Sequence, residues 1–190
     1  MSLKGKNVFF LGSSVTYGSA AGGVSFAEMM AEIAGINCFK EAVSGTTLAD
    51  RDESSYVSRL KRAEKPDRVD LFICQLSSND AARNIPLPEV DAAIRFISAY
   101  AGENFCCPVV FYTSPYYESS AYFEMVKLLN GLKAECGISV LDFYNDPEMR
   151  GVSDEDYKRF MHDPVHPTAE GYREWWTPKF LDFCEKLFGK

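Results

Sequence analysis

Both histidines of this 190-residue chain fall in one short segment, "MHDPVHPTAEGY" (161–172). Asp163 and His166 stand three residues apart, with Pro164 and Pro167 restricting the backbone around them. That spacing can set a carboxylate against one imidazole nitrogen while the other nitrogen faces a neighbouring loop, as a general base with an orienting acid requires. A base of this kind serves a nucleophile, and "FFLGSSVTYG" (9–18) offers Ser14, with Ser13 as second choice, where an apolar run ends in a turn. Taken alone, that loop reads as a turn of small residues followed by a helix cap. It is neither GxSxG, because Thr16 stands where the second glycine belongs, nor a phosphate-binding loop ending in GK[ST]. His162 and His166 with Asp163 have a spacing that can hold a metal on a helix, but Pro164 and Pro167 disfavour that helix, so no metal and no other cofactor is expected. Gly45 in "AVSGTT" (42–47) and Asn79 in "LSSND" (76–80) can each present an N–H to a ligand. Each also reads as an ordinary turn or helix start.

The elements that must position these groups are visible as apolar runs alternating with segments of helical period. Strands are expected at 7–11, 36–43, 68–76, 108–114 and 138–144. Helices are expected at 25–35, 54–64, 87–102, 119–137, with a break at Gly131, and 168–188, with a kink near Pro178. In the first helix Ser25 and Glu28 form a capping box, Gly35 is the stop, and Phe26, Met29, Met30 and Ile33 share one face. The 68–76 run is apolar without alternation, which predicts a central strand buried on both faces. Five such alternations imply right-handed crossovers and a three-layer α/β/α sandwich with a five-stranded parallel sheet, flavodoxin-like in its layering. Ligands bind such sheets beyond the carboxyl ends of the strands, where the serine, glycine, asparagine and histidine segments all fall.

Composition sets the class. With 46% hydrophobic and 25% charged residues the chain is expected to fold as one domain over 1–190. A net charge of -7 argues against a nucleic-acid partner, and the basic run "RLKRAEK" (59–65) reads as a solvated helix face. There is no long apolar stretch and no signal peptide, so no membrane contact and a cytoplasmic location are expected. The six scattered cysteines read as reduced thiols, most of them buried.

The four segments, in this order and at these strand ends, resemble the blocks of the SGNH hydrolases, also called the GDSL esterase/lipase family. Those blocks are a Gly-Asp-Ser, a glycine after the second strand, a Gly-x-Asn-Asp after the third and a C-terminal Asp-x-x-His. The resemblance spans residues 7 to 175 and implies Ser14 as nucleophile, His166 as base and Asp163 as its partner. It further implies Ser14 N–H, Gly45 N–H and the Asn79 amide as donors to an oxyanion. Ser13 replaces the family's aspartate and Ser77 its glycine, which bears on the turn around Asn79 and on substrate preference. The implied activity is a serine esterase cleaving a small soluble ester, such as an O-acetylated sugar, through an acyl-enzyme. Tyr17, Tyr116 and Tyr117 are candidates for its substrate pocket. The two serine replacements keep open a catalytically silent domain that binds a carbohydrate or a protein. A flavodoxin-like cofactor domain would leave the histidine segment unexplained.

Overall fold

The computed structural model describes residues 3–189. Five strands form one all-parallel sheet: β1 (Asn7–Gly12), β2 (Asn37–Ala42), β3 (Leu71–Gln75), β4 (Val109–Tyr112) and β5 (Ser139–Leu141), in the order β2-β1-β3-β4-β5. The expected strands are present, β1 one residue longer than expected and the other four trimmed at both ends, and β3 is central. After β2 the chain crosses back past β1, so the connections leaving β1 and β3 diverge and open a crevice at their carboxyl ends.

Alternation along β1 builds two cores. Phe9 and Leu11 join Phe72, Phe111, Leu60, Ile94, Ile97 and Tyr122 on one face. Val8 and Phe10 join Phe26, Met30, Ile73, Tyr112, Trp176 and Phe180 on the other. The first face is covered by α3 (Tyr56–Arg62), α5 (Leu87–Phe105) and α6 (Ser120–Gly131), the second by α2 (Phe26–Ala34) and the C-terminal helix. Phe26 anchors the second core, its ring stacked at 3.9 Å on Phe180 and edge-on to Tyr112 at 5.2 Å.

Local chemistry explains most boundaries. The Ser25–Glu28 capping box forms and Gly35 ends α2 in a left-handed conformation, but Ile33 is exposed, so only Phe26, Met29 and Met30 of the expected face are buried. The chain leaves helix α6 at Gly131 and resumes in the short α7 (Lys133–Cys136), as the glycine predicted. Helix α5 runs past Gly102 to Phe105 and stops at Cys106, not at the glycine. Between β5 and the histidines lie two short helices that sequence periodicity does not reveal, α8 (Pro147–Arg150) and α9 (Asp154–Phe160), started by the caps Asp146 and Ser153. The C-terminal helix does not simply kink at Pro178. Residues Gly171–Trp176 wind as a π-helix that runs directly into α10 (Thr177–Phe188), and Pro178, which has no N–H to donate to the preceding turn, sits where the winding changes. Trp175 and Trp176 are buried in the second core.

Gly171 is where this π-turn meets the end of α9. A Cβ there would lie 2.0 Å from the Phe160 carbonyl oxygen, a backbone atom that cannot swing aside. Gly171→Ala is therefore expected to cost about 1–3 kcal/mol or more of stability through overpacking. Urea denaturation beside the wild type checks this, and an unchanged midpoint would contradict it.

Candidate active site

The nucleophile candidate stands at the first residue of α1 (Ser14–Tyr17), directly after β1. Its turn is tight because Gly12 has no side chain: a Cβ there would fall 1.8 Å from Thr16 Oγ1 and 2.9 Å from Gln75 Oε1. Those two groups pin the turn. Gln75 Oε1 accepts from Ser13 N–H at 2.9 Å and from Thr16 Oγ1 at 2.9 Å, and Thr16 Oγ1 lies 2.7 Å from the Tyr112 hydroxyl. Gln75 escaped the sequence reading, although a glutamine ending the apolar run "FICQ" signalled a buried acceptor.

The histidine segment returns to this turn from the far end of the chain. His166 Nε2 is 2.8 Å from Ser14 Oγ, and its Nδ1 is 2.8 Å from Asp163 Oδ2 and 3.0 Å from Oδ1. With Nδ1–H donating to the carboxylate, Nε2 is left as the acceptor for the Ser14 hydroxyl. The loop that holds the imidazole is self-braced. Asp163 Oδ1 also accepts from the backbone N–H of Val165 and of His166, each at 2.8 Å, and His162 N–H donates to the His166 carbonyl at 2.8 Å. Partial burial pushes the Asp163 carboxyl up, but the N–H of Val165 and the His166 ring and N–H outweigh it, and the group sits below the usual carboxylate range. His162 is exposed, and among the described residues no group of three or more His, Cys, Asp or Glu is placed to hold a metal ion.

Asn79 belongs to the short α4 (Ser78–Ala82), after β3. Its Nδ2 donates to the Thr46 carbonyl at 2.9 Å, which spends one amide proton and leaves the second. Gly45 stands beside Thr46 with φ 78°, in an exposed loop whose Gly45 carbonyl accepts from Arg83 at 2.7 Å. The glycine segment and the asparagine segment are thus tied to each other. Ser77, where the sequence raised the question of the turn, caps α4: its Oγ accepts from Asn79 N–H at 3.2 Å, and its φ of -73° is open to any side chain. Asp80 is buried and accepts from the N–H groups of Leu48 and Ala49 at 2.7 and 2.9 Å, although burial still pushes its carboxyl up.

Tyr116 and Tyr117 line a cavity of about 550 Å³ together with Arg150, Tyr157 and Pro164, the last lying inside the Asp163–His166 loop. Tyr17 is not part of it: its ring lies 5.4 Å from Lys40 Nζ, whose ammonium donates to the Tyr17 and Gly23 carbonyls. One expectation needs correction. The basic run 59–65 is not a wholly solvated face, since Arg59 is only 5% exposed. Its position three residues after the buried Tyr56 and next to Leu60 was the available signal, because those positions share a helix face.

The sequence profile described as the GDSL-like lipase/acylhydrolase family matches residues 10–174. No curated protein is significantly similar in sequence to the chain. Among solved structures, a protein from Lactobacillus plantarum superposes with TM-score 0.81 at 18% identity, covering 96% of this chain and 98% of that one. An acetylxylan esterase from Geobacillus stearothermophilus gives 0.67 at 16%, covering 100% and 97%. A family two carbohydrate esterase from Clostridium thermocellum, solved with cellohexaose, gives 0.76 at 12%, covering 100% of this chain and 66% of that one. At these identities the likeness is one of fold.

The depressed Asp163 carboxyl makes a prediction about pH. A carboxylate whose folded pKa lies below its unfolded value contributes stability above the unfolded value and loses it as pH falls through the folded one. The stability gap between wild type and Asp163→Asn should therefore hold from neutrality down to about pH 5 and close only below about pH 4. Denaturant titrations across pH read this directly, and a gap that closed between pH 8 and 6 would contradict it.

Proposed function

Since the chain belongs to the GDSL-like lipase/acylhydrolase family and is an ester-cleaving hydrolase, we propose that Ser14, His166 and Asp163 are its catalytic residues and that it acts through an acyl-enzyme. The observation that carries this reading is the unbroken line from Asp163 through His166 to Ser14 Oγ, with each contact between 2.8 and 3.0 Å. His166 Nε2 takes the hydroxyl proton as Ser14 Oγ attacks the ester carbonyl. The same nitrogen then returns the proton to the departing alcohol. Asp163 keeps Nδ1 protonated and steadies the imidazolium that forms in between. Water, activated by the freed Nε2, attacks the acyl-enzyme and releases the acid.

The negative charge that develops on the carbonyl oxygen needs fixed donors. Ser14 N–H lies in the first turn of its helix, where no intrahelical acceptor is available to it. Gly45 N–H and the second amide proton of Asn79 complete the set in this reading. Their support is the bond between Asn79 and the Thr46 carbonyl, which places the two loops against each other.

The substrate in this reading is a small carboxylic ester with a short acyl chain, such as an O-acetylated sugar. Support comes from the cavity beside the histidine loop. It offers the rings of Tyr116, Tyr117 and Tyr157 as flat apolar surfaces, with Glu118, Arg150 and Asp154 as polar groups around them. That combination suits a sugar ring, which has apolar faces and a polar rim. Two of the proteins that share the fold are an acetylxylan esterase and a family two carbohydrate esterase.

A series of p-nitrophenyl esters from acetate to octanoate, with wild type beside Ser14→Ala, tests the proposal. Turnover should be greatest on the acetate, fall with chain length, and drop at least about a thousandfold in Ser14→Ala. Undiminished acetate hydrolysis by folded Ser14→Ala would remove Ser14 from the mechanism. A preference for octanoate would remove the short-acyl assignment.

A further inference from the structure

Arg59 lies beneath the site with every N–H of its guanidinium committed. Nε donates to the Ser54 carbonyl at 2.8 Å. Nη1 donates to the Glu41 carbonyl at 3.1 Å and to Glu41 Oε1 at 2.8 Å. Nη2 donates to the Gly12 carbonyl at 2.7 Å and to Thr46 Oγ1 at 3.2 Å. Its face lies over the Tyr56 ring, 5.3 Å from the centroid. A guanidinium has no further proton to offer, so Arg59 is not a substrate-binding group.

What it holds is informative. Gly12 ends β1 and immediately precedes Ser13 and the nucleophile candidate, and Thr46 immediately follows Gly45. Nη2 spans the two segments, reaching the Gly12 carbonyl on one and Thr46 Oγ1 on the other. A second bond runs parallel to that bridge, from Val43 N–H to the same Gly12 carbonyl at 3.3 Å, and Thr46 Oγ1 passes the restraint on to the Val43 carbonyl at 2.7 Å. The Thr46 carbonyl in turn takes the Asn79 amide. Arg59, together with the Val43–Gly12 backbone bond, thereby fixes the separation of the serine turn from the loop that carries Gly45 and receives Asn79. A burial this deep also requires a countercharge, which Glu41 supplies from the end of β2.

We propose that Arg59 is a positioning residue for the oxyanion-binding arrangement: it locks the 43–47 loop to the serine turn, so that the donors and the nucleophile share one rigid frame. This inference rests on the esterase reading above for its catalytic consequence, though not for the structural restraint itself. Lysine cannot substitute, because a single ammonium reaches from one point and cannot span Gly12, Thr46, Glu41 and Ser54 in the plane of a fork.

The test compares Arg59→Lys and Thr46→Val with wild type on p-nitrophenyl acetate, together with amide hydrogen exchange at Val43. Thr46→Val keeps the arginine and removes only the hydroxyl through which it reaches the loop, so it remains informative should the lysine variant be unstable. In folded Arg59→Lys, kcat should fall about 10- to 100-fold with KM within about threefold, because the donors act on the transition state more than on bound ester. Thr46→Val should lose several-fold in kcat, and the loss in Arg59→Lys should shrink on an Asn79→Ala background, as it does when two residues act through one arrangement. Val43 exchange should quicken in Arg59→Lys. Folded variants with kcat within about twofold of wild type, or a loss confined to KM, would overturn the inference. A wild type without Ser14-dependent turnover would instead fail the esterase reading. Val43 exchange then decides the restraint by itself, with unchanged protection in Arg59→Lys counting against it.

Discussion

The hydrogen bond from Ser14 to His166 joins residues 152 positions apart, and the site depends on bringing those two chain segments within one bond length of each other. No local propensity can do this. The serine is delivered by the innermost part of the fold, the end of β1, which is buried from Val8 to Gly12 beside the fully buried β3. The histidine arrives on a loop between α9 and the π-helical turn. That loop is closed by an antiparallel bridge between Met161 and Pro167 and held to the domain by the close packing of Gly171 on Phe160. The Tyr172 hydroxyl, donating to the Val15 carbonyl at 2.6 Å, fastens the π-turn directly to the helix of Ser14. The two catalytic candidates are therefore coupled through packing as well as through their own contact.

A second constraint concerns backbone polarity. The carboxyl ends of parallel strands leave carbonyl and N–H groups without ladder partners, and here those groups lie among buried residues such as Ser13, Gln75 and Asp80. Buried polar side chains fill the deficit: Gln75 for the serine turn, Asp80 for Leu48 and Ala49, Arg59 for Gly12 and Glu41. Asp80 and Arg59 are expensive to bury alone and become tolerable because these bonds use their charge, while Gln75 spends its carbonyl oxygen on the serine turn and leaves Nε2 without a protein partner. The same economy makes the site rigid, since moving any one loop would strand a buried charge or amide. Preorganisation of this kind is what an enzyme needs from groups that must meet a charge that exists only in the transition state.

Much of this was legible in the sequence, and the reasons are physical. The strands and the α2, α3 and α6 helices follow from side-chain periodicity and caps, which are local signals. The Asp163–His166 pairing is also local, because three residues and two prolines set it, and the structure brings Ser14 to that imidazole. Asn79 and Gly45 were marked by their place after strands, and the bond from Asn79 to Thr46 joins their two segments. What escaped were groups whose roles are set by distant partners. Arg59 sits in a basic run that looks solvated until β1 and β2 are placed beneath it. Helices α8 and α9 bury little beyond Met149 and Phe160 and so leave no apolar stripe to read. Tyr17 looked equivalent to Tyr116 and Tyr117 in type, yet it ends the short helix of Ser14 itself, with its ring against Lys40 of β2. Ser13 and Ser77, the two departures from the family's blocks, are absorbed locally, by Gln75 and by the cap of α4.

If His166 activates Ser14 and leaves the adjacent Ser13 inert, labelling with a fluorophosphonate followed by peptide mass spectrometry will give a single adduct, on Ser14, that disappears in His166→Ala while the protein stays folded. An adduct on Ser13, or no adduct on folded wild type, would contradict it.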